Sequence, residues 1–596
     1  MTGLVANVAL ATCAVKTYSF AMAYRAPVRD LSFTLTEVAG LSRLPDAPDA
    51  ETIEAVLAGA ADLAENILAP LNRLGDTEGA RFADGRVTLP AGFRNAYQAY
   101  AAGGWSGLSA PERWGGQGLP TALAQAVLET VHAANMAFGL CPLLTLAAVE
   151  ALEAHGTPEL QALYLPRLVS GEWTGTMNLT EPQAGTDLAA VRARAEPNGD
   201  GSYALHGSKI YITWGDHDVA DNIVHLVLAR LPDAPDGVRG ISLFLAPKFL
   251  VNPDGSLGAP NALRPGGIEH KLGINASPTC TMLFEGARAE LVGQPNQGLA
   301  HMFTMMNAAR LGVGVEGVGI AERAYQGALA YALERRQGRS SWSGEAGAPI
   351  FDHPDVRRTL SVMKARIEAG RAICLLTAVE ADLCGTDERA RRRYELLVPV
   401  AKAWSTDMGV EVASQGVQVH GGMGFVEETG AAQHYRDARI APIYEGTNGV
   451  QALDLVGRKL PAGDGLALRE LAGDMRETAA ALAGVEDLSD LAPPLSAGVA
   501  AVQQAAAWLL ERRGSPDALS GATPFLKLLG DVAGGWLLCK GALAAHGAAD
   551  PYLAAKVPLA RVYAHQVLSA APSAVAAVTA GAAELYGLTP ELLGAA

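Results

Sequence analysis

The spacing of apolar residues changes twice along this chain, and these changes constrain the fold more than any other feature. Over residues 31 to about 173, apolar residues recur three and four positions apart, as on one face of a helix. From Thr174 the pattern becomes short extended runs bounded by Gly, Asp, Asn or Pro, which is typical of strands. Helical spacing returns at Leu299 and continues to about Leu460. The sequence therefore predicts a multidomain α+β protein in which an antiparallel β domain separates two helical domains.

Five segments follow from this pattern. They are a possible non-native N-terminal extension (1–21), an N-terminal helical domain (22–173), a middle β domain (174–294), a C-terminal helical bundle (295–460) and an additional Ala- and Leu-rich helical domain (461–596). The first 21 residues lack the basic start and the cleavage site of a secretory signal. We interpret them as the product of a misassigned start codon, with the native chain beginning at Met22.

Finer expectations concern individual elements. Pro70 is expected to end the helical face that contains Ile53 and Ile67. Residues 247–265 contain Pro and Gly without periodicity, which indicates a surface excursion. Strands are expected at 209–213, 223–230, 241–246 and 280–284, and helices of the last domain at 495–513 and 523–545.

Composition limits the possible partners. The 596 residues carry 46 basic and 62 acidic side chains, a net charge of −16, which opposes non-specific binding to nucleic acid or anionic membranes. No run approaches the roughly 20 apolar residues that span a bilayer. With 49% hydrophobic and 18% charged residues, the chain is predicted to be a cytoplasmic globular enzyme.

Metal, disulfide and nicotinamide sites are not indicated. The six cysteines lie far apart with no C-x-x-C pair, so they are expected to be buried thiols. His217, His353 and His420 lack metal-ligand spacing and are interpreted as structural histidines. No G-x-G-x-x-G follows a predicted strand, so a Rossmann nicotinamide site is not supported.

The strongest chemical signal lies within residues 418–451, which contain HGGMGF and IYEGT. Gly421, Gly422 and Gly424 remove side chains from one turn, so its backbone amides could lie against a flat or anionic ligand. In the second turn, Gly446 allows close approach of the main chain while Glu445 projects forward, a geometry that suits a general base. A lone turn glutamate is more often an exposed surface carboxylate, so this interpretation depends on a second motif.

That second motif is MNLTEPQAGTD, residues 177–187, at the entry to the β domain. Pro182 and Gly185 favour a tight turn that leaves the Thr180 hydroxyl and nearby amides free to bind a ligand. The alternative is a capped turn that joins a helix to a strand.

Together these motifs resemble those of the acyl-CoA dehydrogenase family, and the resemblance covers most of the chain. The longer bacterial members look closest, a group that includes 3-methylmercaptopropionyl-CoA and broad-chain fatty acyl-CoA dehydrogenases. The resemblance implies that Glu445 removes the α-proton of an acyl-CoA thioester while the β-carbon passes hydride to N5 of FAD. The product would be a trans-2-enoyl-CoA, and an electron-transferring flavoprotein would accept the electrons.

The resemblance also implies roles for matched residues. The FAD site would contain Met177, Leu179, Thr180, Gly185, Thr186, Tyr211, Thr213 and Thr447, and a neighbouring subunit would add Arg335, Gln337, Gly338, Gln418, Gly421 and Gly422. The substrate would meet Thr186, Asn307, Arg310, Tyr444 and Gly446. Because a second chain completes each flavin site, a homodimer or homotetramer is expected.

Several alternatives and departures accompany this assignment. Tyr211 stands where Trp is common and Thr186 where Ser is common, and Gly449 replaces a frequent Gln, whose contact would come from elsewhere, such as Asn448. Ala309 cannot accept a proton, whereas members with a relocated base carry Glu there, so Glu445 is the only matched base. The alternatives are a core aromatic for Tyr211, a solvated charge for Arg335, a surface amide for Gln418 and a structural ion-pair residue for Arg310.

Two other functions fit the same resemblance. An acyl-CoA oxidase would return its electrons to oxygen, and the long C-terminal extension makes this conceivable. A non-catalytic, DNA-binding flavoprotein is the other, but residues 461–596 carry more acidic than basic residues, and phosphate binding needs a basic face.

Overall fold

The computed structural model of the protein describes residues 23–595, so the proposed extension at residues 1–21 and Cys13 lie outside the described residues. Helices, then strands, then helices follow one another in the order predicted from apolar spacing. The predicted α+β fold class is therefore confirmed.

The N-terminal part is helical, with one small hairpin. Its elements are α1 (Val28–Phe33), α2 (Ala50–Leu63), α3 (Ala69–Glu78), β1 (Arg81–Ala83), β2 (Arg86–Thr88), α4 (Phe93–Ala102), α5 (Thr121–Ala134), α6 (Met136–His155) and α7 (Pro158–Val169). Side-chain N-caps precede several helices: Asp49 accepts from the Thr52 amide at the start of α2, and Asn135 accepts from the Phe138 amide at the start of α6.

Pro70 does not end the first helical face, so that expectation is wrong. A π-helical turn, Ala64–Leu68, carries α2 directly into α3, with Pro70 in the first turn of α3. Proline is tolerated there because the amide groups of a first turn need no partner within the helix.

The middle part is a seven-stranded sheet whose pairings close into a ring. Its strands are β3 (Trp173–Asn178), β4 (Arg194–Pro197), β5 (Tyr203–Thr213), β6 (Asn222–Arg230), β7 (Ile241–Pro247), β10 (Leu263–Ile268) and β11 (Thr279–Val292), and β8 (Phe249–Val251) with β9 (Leu257–Pro260) forms a separate hairpin. The long strand β11 pairs with β5 along most of its length and with β7 at its end, which closes the ring through β6 and β4.

The sheet differs from the prediction in one respect. Most pairs are antiparallel as predicted, but β6 is parallel to β3 and to β4, and neither of these strands is joined to β6 by a tight turn. Residues 247–265 are a largely exposed excursion as expected, and they contain the β8–β9 hairpin.

Three long helices form the C-terminal bundle. They are α8 (Gly298–Glu334), α9 (Pro354–Leu383) and α10 (Glu388–His420), and the short helices α11 (Ala431–Ala438) and α12 (Asn448–Asp454) follow. The helices α8 and α10 approach closely at glycines: a Cβ on Gly314 or Gly317 would lie 2.6 Å from a carbonyl oxygen of α10. This close packing brings side chains of both helices beneath the turn that joins α11 to α12.

The last part is helical throughout and packs on the bundle. Its helices are α13 (Leu466–Ala483), α14 (Ala492–Glu511), α15 (Pro516–Ser520), α16 (Ala522–Ala545), α17 (Pro551–Ala554), α18 (Lys556–Gln566), α19 (Ala571–Val578) and α20 (Ala583–Gly587). Lys556 of α18 donates to Asp30 of α1 (2.8 Å) and to Glu368 of α9 (3.0 Å), and Trp404 of α10 donates to Asp531 of α16 (2.9 Å). Polar contacts therefore join this part to α1 and to the C-terminal bundle.

Two helices, α6 and α16, are long and apolar enough to cross a membrane by length and composition. This differs from the expectation that no such segment exists. In the most apolar window of each helix, 83% and 78% of the residues are buried inside the protein, as in the core helix of a globular domain. The predicted lack of a membrane span stays a prediction.

Candidate active site

The turn that carries Glu445 lies between α11 and α12 and has an unusual backbone. Glu445 has a φ of 56°, in the left-handed region that favours glycine, and Gly446 follows with a φ of 83°. For a residue with a side chain, this conformation costs roughly 1–3 kcal/mol and persists only where surrounding contacts hold it. Such contacts are present at three successive residues of the turn.

Each of these three residues is bound by a side chain from elsewhere. The Tyr444 hydroxyl donates to the carboxyl group of Glu316 in α8. The Glu445 carbonyl accepts from Arg310 Nε (3.4 Å) and from Gln451 Nε2 (3.3 Å). The Gly446 carbonyl accepts from Lys402 Nζ of α10 at 2.9 Å. The turn is thus attached to both long helices of the bundle.

The electrostatics of this turn favour a base that works near neutral pH. Burial raises the pKa of Glu445 to about 7, and the cations Arg310 and Lys402 oppose a larger rise. Burial also raises the pKa of Glu316 to about 8 and lowers the pKa of Lys402 to about 8. A carboxylate with this pKa can accept a proton from a weak carbon acid and release it again.

Arg310 and Asn307 lie beside Glu445 on one face of α8. Arg310 is 6% exposed, its Nη1 donates to Asn307 Oδ1 (3.2 Å), and its guanidinium lies 5.7 Å from the ring centroid of Phe303. Burial lowers the pKa of Arg310. Within residues 23–595 it forms no ion pair, so the alternative of a structural ion-pair residue is wrong.

The two segments predicted to meet the flavin are held together. The Ile210 amide donates to the Thr180 carbonyl (2.9 Å), which places Thr180 beside Tyr211. The side chains of Met177 and Leu179 pack against the same core cluster as Tyr444. The start of the motif at 177–187 therefore packs on the core cluster that also supports the turn of Glu445. Thr186 is exposed, and no hydrogen bond of the described chain connects it to that turn.

The surface next to Thr180 suits a flat aromatic ligand. Tyr211 is 60% exposed with a φ of 60°, although it belongs to a strand whose next residue, Ile212, is buried. A Cβ on Gly185 would meet open space, and Thr213 is half-buried. The alternative of a core aromatic for Tyr211 is therefore wrong. An exposed ring beside the open surface at Gly185 is a surface against which an isoalloxazine fits.

The residues expected to reach a neighbouring flavin lie at the ends of α8 and α10. These ends are adjacent, because the rings of Tyr331 and His420 lie 4.5 Å apart. Arg335, Gln337, Gly338, Gln418, Gly421 and Gly422 are all exposed. A Cβ on Gly421 or Gly422 would meet nothing within 4 Å, so the backbone there is open to a ligand. No ion pair of Arg335 occurs among the residues that the structure describes.

Asn448 does not supply the cofactor contact of the glutamine that is frequent in the family at the position of Gly449. Its amide donates to the Ala403 carbonyl (3.1 Å) and to Asp407 Oδ1 (2.7 Å), and its carbonyl oxygen accepts from Lys402 (2.8 Å). That suggestion is therefore wrong. Thr447 is exposed and caps α12 by accepting from the Val450 amide.

The residues interpreted as structural have internal contacts. His217 pairs with Thr174 Oγ1 (2.9 Å), His353 with the Gln337 carbonyl (2.8 Å) and His420 with the Gly416 carbonyl (2.7 Å). Among the described cysteines, Cys384 is half-buried rather than buried, and the buried free thiols are Cys141, Cys280, Cys374 and Cys539.

Four buried charged residues at these sites were not found from the sequence. Lys209 donates to Glu181 Oε1 (2.8 Å) and to the Leu179 carbonyl (3.0 Å), which fixes the turn next to Tyr211. Glu316 and Lys402 support the turn of Glu445. The available signal was a single charge within an apolar run, as in GVGVEGVGI around Glu316 and VPVAKAW around Lys402.

Comparison with known families agrees with this arrangement. Models of the acyl-CoA dehydrogenase N-terminal, middle and C-terminal domains match residues 50–172, 176–287 and 296–460. The chain belongs to the acyl-CoA dehydrogenase family. A further model, described as acetyl-CoA dehydrogenase C-terminal like, matches residues 471–589, so the additional domain is also a known part of such dehydrogenases. The chain is accordingly an enzyme that dehydrogenates an acyl-CoA.

Full-length relatives support the same conclusion. The acyl-CoA dehydrogenase described here is 47% identical to a 3-methylmercaptopropionyl-CoA dehydrogenase of Ruegeria pomeroyi, over 92% of this chain and 96% of that one. It is 33% identical to a broad-specificity linear acyl-CoA dehydrogenase, FadE5, of Mycobacterium tuberculosis, over 88% and 91% of the two chains. The crystal structure of an acyl-CoA dehydrogenase complexed with FAD from Bacillus anthracis shares the fold, with a TM-score of 0.72 and 22% identity over 91% and 90% of the chains.

Proposed function

We propose that this acyl-CoA dehydrogenase uses Glu445 as the general base of an FAD-dependent α,β-dehydrogenation. The observation that carries the proposal is a half-buried carboxylate, in a strained turn, whose pKa is raised by burial to about 7. A carboxylate with an ordinary pKa would be too weak a base for the α-proton of a thioester. The raised pKa of Glu445 reduces the difference in pKa between the base and this proton. The product would be the trans-2-enoyl-CoA.

Glu445 and the residues that contact its turn have separate roles in the proposed reaction. Glu445 accepts the α-proton, and the contacts of Arg310, Lys402 and Gln451 with the turn keep its backbone in the left-handed conformation. Arg310 also places a positive charge beside the site, which holds the base ionised between turnovers. A bound acyl chain would cover the half-buried carboxylate and so exclude water from the developing carbanion.

FAD, when bound, supplies the hydride acceptor. The residues that would hold its ring are Met177, Leu179, Thr180, Gly185, Thr186, Tyr211, Thr213 and Thr447. The pyrophosphate and adenosine would meet Arg335, Gln337, Gly338, Gln418, Gly421 and Gly422 of a second chain. The exposed face of Tyr211 and the open backbone at Gly421 and Gly422 support this assignment.

The substrate we propose is a short acyl-CoA with a thioether chain, such as 3-methylmercaptopropionyl-CoA. This choice rests on the 47% identity to the 3-methylmercaptopropionyl-CoA dehydrogenase of Ruegeria pomeroyi, which extends over nearly the whole length of both chains. Asn307, Arg310, Tyr444 and Gly446 would border the thioester end, because all four lie at the turn of Glu445 or face it from α8.

We further propose that the enzyme is a cytoplasmic homodimer or homotetramer that passes its electrons to an electron-transferring flavoprotein. The feature that supports a shared flavin site is Arg335, which is exposed and forms no ion pair within residues 23–595. An oxidase would instead release peroxide in air, so a peroxide assay under turnover conditions separates the two acceptors.

The decisive experiment compares wild type with Glu445→Gln. The amide keeps the size of the side chain but cannot accept a proton, so turnover should fall by about a hundredfold to ten-thousandfold while FAD stays bound. Anaerobic bleaching of the flavin by acyl-CoAs of increasing length, with thioether and branched chains included, measures both the base and the substrate preference. Near-normal bleaching in the variant would disprove the role of Glu445.

A further inference from the structure

Glu316 is a buried carboxyl group at a place where the sequence offers only small apolar neighbours. It lies in the middle of α8 and is 0% exposed. Burying a carboxyl group is costly unless the group is neutral or hydrogen-bonded. In the part of the chain that the structure describes, its hydrogen-bond partner is the hydroxyl group of Tyr444, which donates to the carboxyl oxygens.

The other charged groups near Glu316 are already engaged. Lys402 Nζ donates to the Gly446 carbonyl (2.9 Å) and to Asn448 Oδ1 (2.8 Å). Asp437 of α11 accepts from the Ile274 amide (2.5 Å) and from Gln433 Nε2 (3.3 Å). Neither forms a direct bond to Glu316, so the contact with Tyr444 is not duplicated by these groups.

Tyr444 immediately precedes the base in the chain. Its ring packs against the core, and its amide donates to the Ile440 carbonyl (3.2 Å). A tyrosine fixed at both its backbone and its hydroxyl restricts the torsion angles on the N-terminal side of Glu445. Since Glu445 has a left-handed backbone, loss of this restraint would let the turn relax and the carboxylate turn away.

We propose that Glu316 is a positioning residue for the base: by binding the Tyr444 hydroxyl, it holds the backbone of the turn and so fixes the direction of the Glu445 carboxylate. This inference rests on the proposed role of Glu445. The bond is kept when Glu316 is protonated, and burial together with the nearby charge of Glu445 favours that neutral form, since the pKa of Glu316 is raised to about 8.

The test compares Glu316→Leu, Glu316→Gln and Tyr444→Phe in the FAD-loaded enzyme. Leu has a similar volume but no acceptor, so kcat should fall by about tenfold to a hundredfold, the loss expected from a base displaced by about 1 Å. Gln keeps a carbonyl acceptor for the Tyr444 hydroxyl and should recover most of this loss. KM should change by less than about threefold in the two Glu316 variants, because the bond acts on the base and not on the CoA.

The double variant Glu316→Leu with Tyr444→Phe should be no slower than the slower single variant, since both remove the same bond. Independent, additive losses would overturn the inference, and so would a Glu316→Leu enzyme with wild-type kcat. If Glu316→Leu fails to fold, Tyr444→Phe and Glu316→Gln still decide the question through kcat and KM.

The matched control is Glu322→Gln. Glu322 lies on the same helix, is 2% exposed and binds Arg371 (3.0 Å) and Gln326 (3.0 Å), away from the turn. This variant should melt at a lower temperature and keep kcat within about twofold of wild type. An equal fall of kcat in Glu322→Gln would show that any damage to α8 lowers turnover, which contradicts a specific role of Glu316. Near-normal turnover in Glu445→Gln would instead refute the proposed base itself.

Discussion

Removal of the positive charge at Lys402 should shift the pH dependence of the reaction upward. Lys402 is fully buried, and its charge is one of the two that lower the pKa of Glu445. Without that charge the ionised carboxylate is less favoured, so the pKa of Glu445 must rise in Lys402→Met. A nearby opposite charge shifts a carboxyl pKa by about one unit or more.

The expected magnitude follows from simple titration. With a pKa of about 7 for Glu445, about half of the wild-type enzyme carries an ionised base at pH 7. A rise of about one unit leaves about a tenth ionised, so kcat/KM at pH 7 should fall by about fivefold. The ratio between the two enzymes should shrink toward pH 9, where both bases are ionised and where wild-type Lys402, with its pKa lowered to about 8, has lost its own charge. A loss that remains at pH 9 measures the missing bond to the Gly446 carbonyl.

The assay is the pH profile of kcat/KM between pH 5.5 and 9.5, since this parameter reports the free enzyme. Lys540→Met is the matched control: Lys540 also has a pKa lowered by burial, but its Nζ donates to the Val38 carbonyl, far from the turn in the fold. The control should leave the midpoint unchanged. A midpoint that stays near 7 or falls in Lys402→Met would refute the electrostatic reasoning, and a uniform loss at every pH would assign Lys402 to packing alone.

Two further predictions concern the buried ion pairs. Arg371 is 0% exposed and binds Glu129 (2.6 Å) and Glu322 (3.0 Å). In Arg371→Met, Glu129 should lose its ion pair, while Glu322 keeps a longer one to Lys364 (3.8 Å). The free energy of unfolding should fall by about 3–5 kcal/mol, seen as an unfolding midpoint at a lower urea concentration; an unchanged midpoint would contradict this. Lys209→Met should release the turn next to Tyr211 and so lower the FAD content of the purified protein, measured by the ratio of flavin to protein absorbance. Full retention of FAD after dialysis would show that Lys209 does not order the flavin site.

The order and type of the elements could be predicted because they depend on local spacing. The strand expected at 223–230 is β6, Asn222–Arg230, and the helix expected at 523–545 is α16, Ala522–Ala545. Prediction from local spacing failed where contacts with a neighbouring element determine the structure. Pro70 reads as a helix end, but a π-helical turn places it in the first turn of the next helix.

The candidate site was predictable only in part, for the same reason. The motifs gave Glu445, Tyr444 and Gly446, which are close in sequence. Their supports come from 128 and 44 residues away, as in the bonds of Tyr444 to Glu316 and of Gly446 to Lys402. No sequence rule places these two charges together, because their meeting depends on how closely two glycine-containing helices pack.

The bond between Lys556 and Asp30 joins residues 526 positions apart. The ribosome synthesises Asp30 long before Lys556, so α1 cannot make this contact until α18 has also been made. The ion pair between these two helices is therefore a late event in the folding of this enzyme.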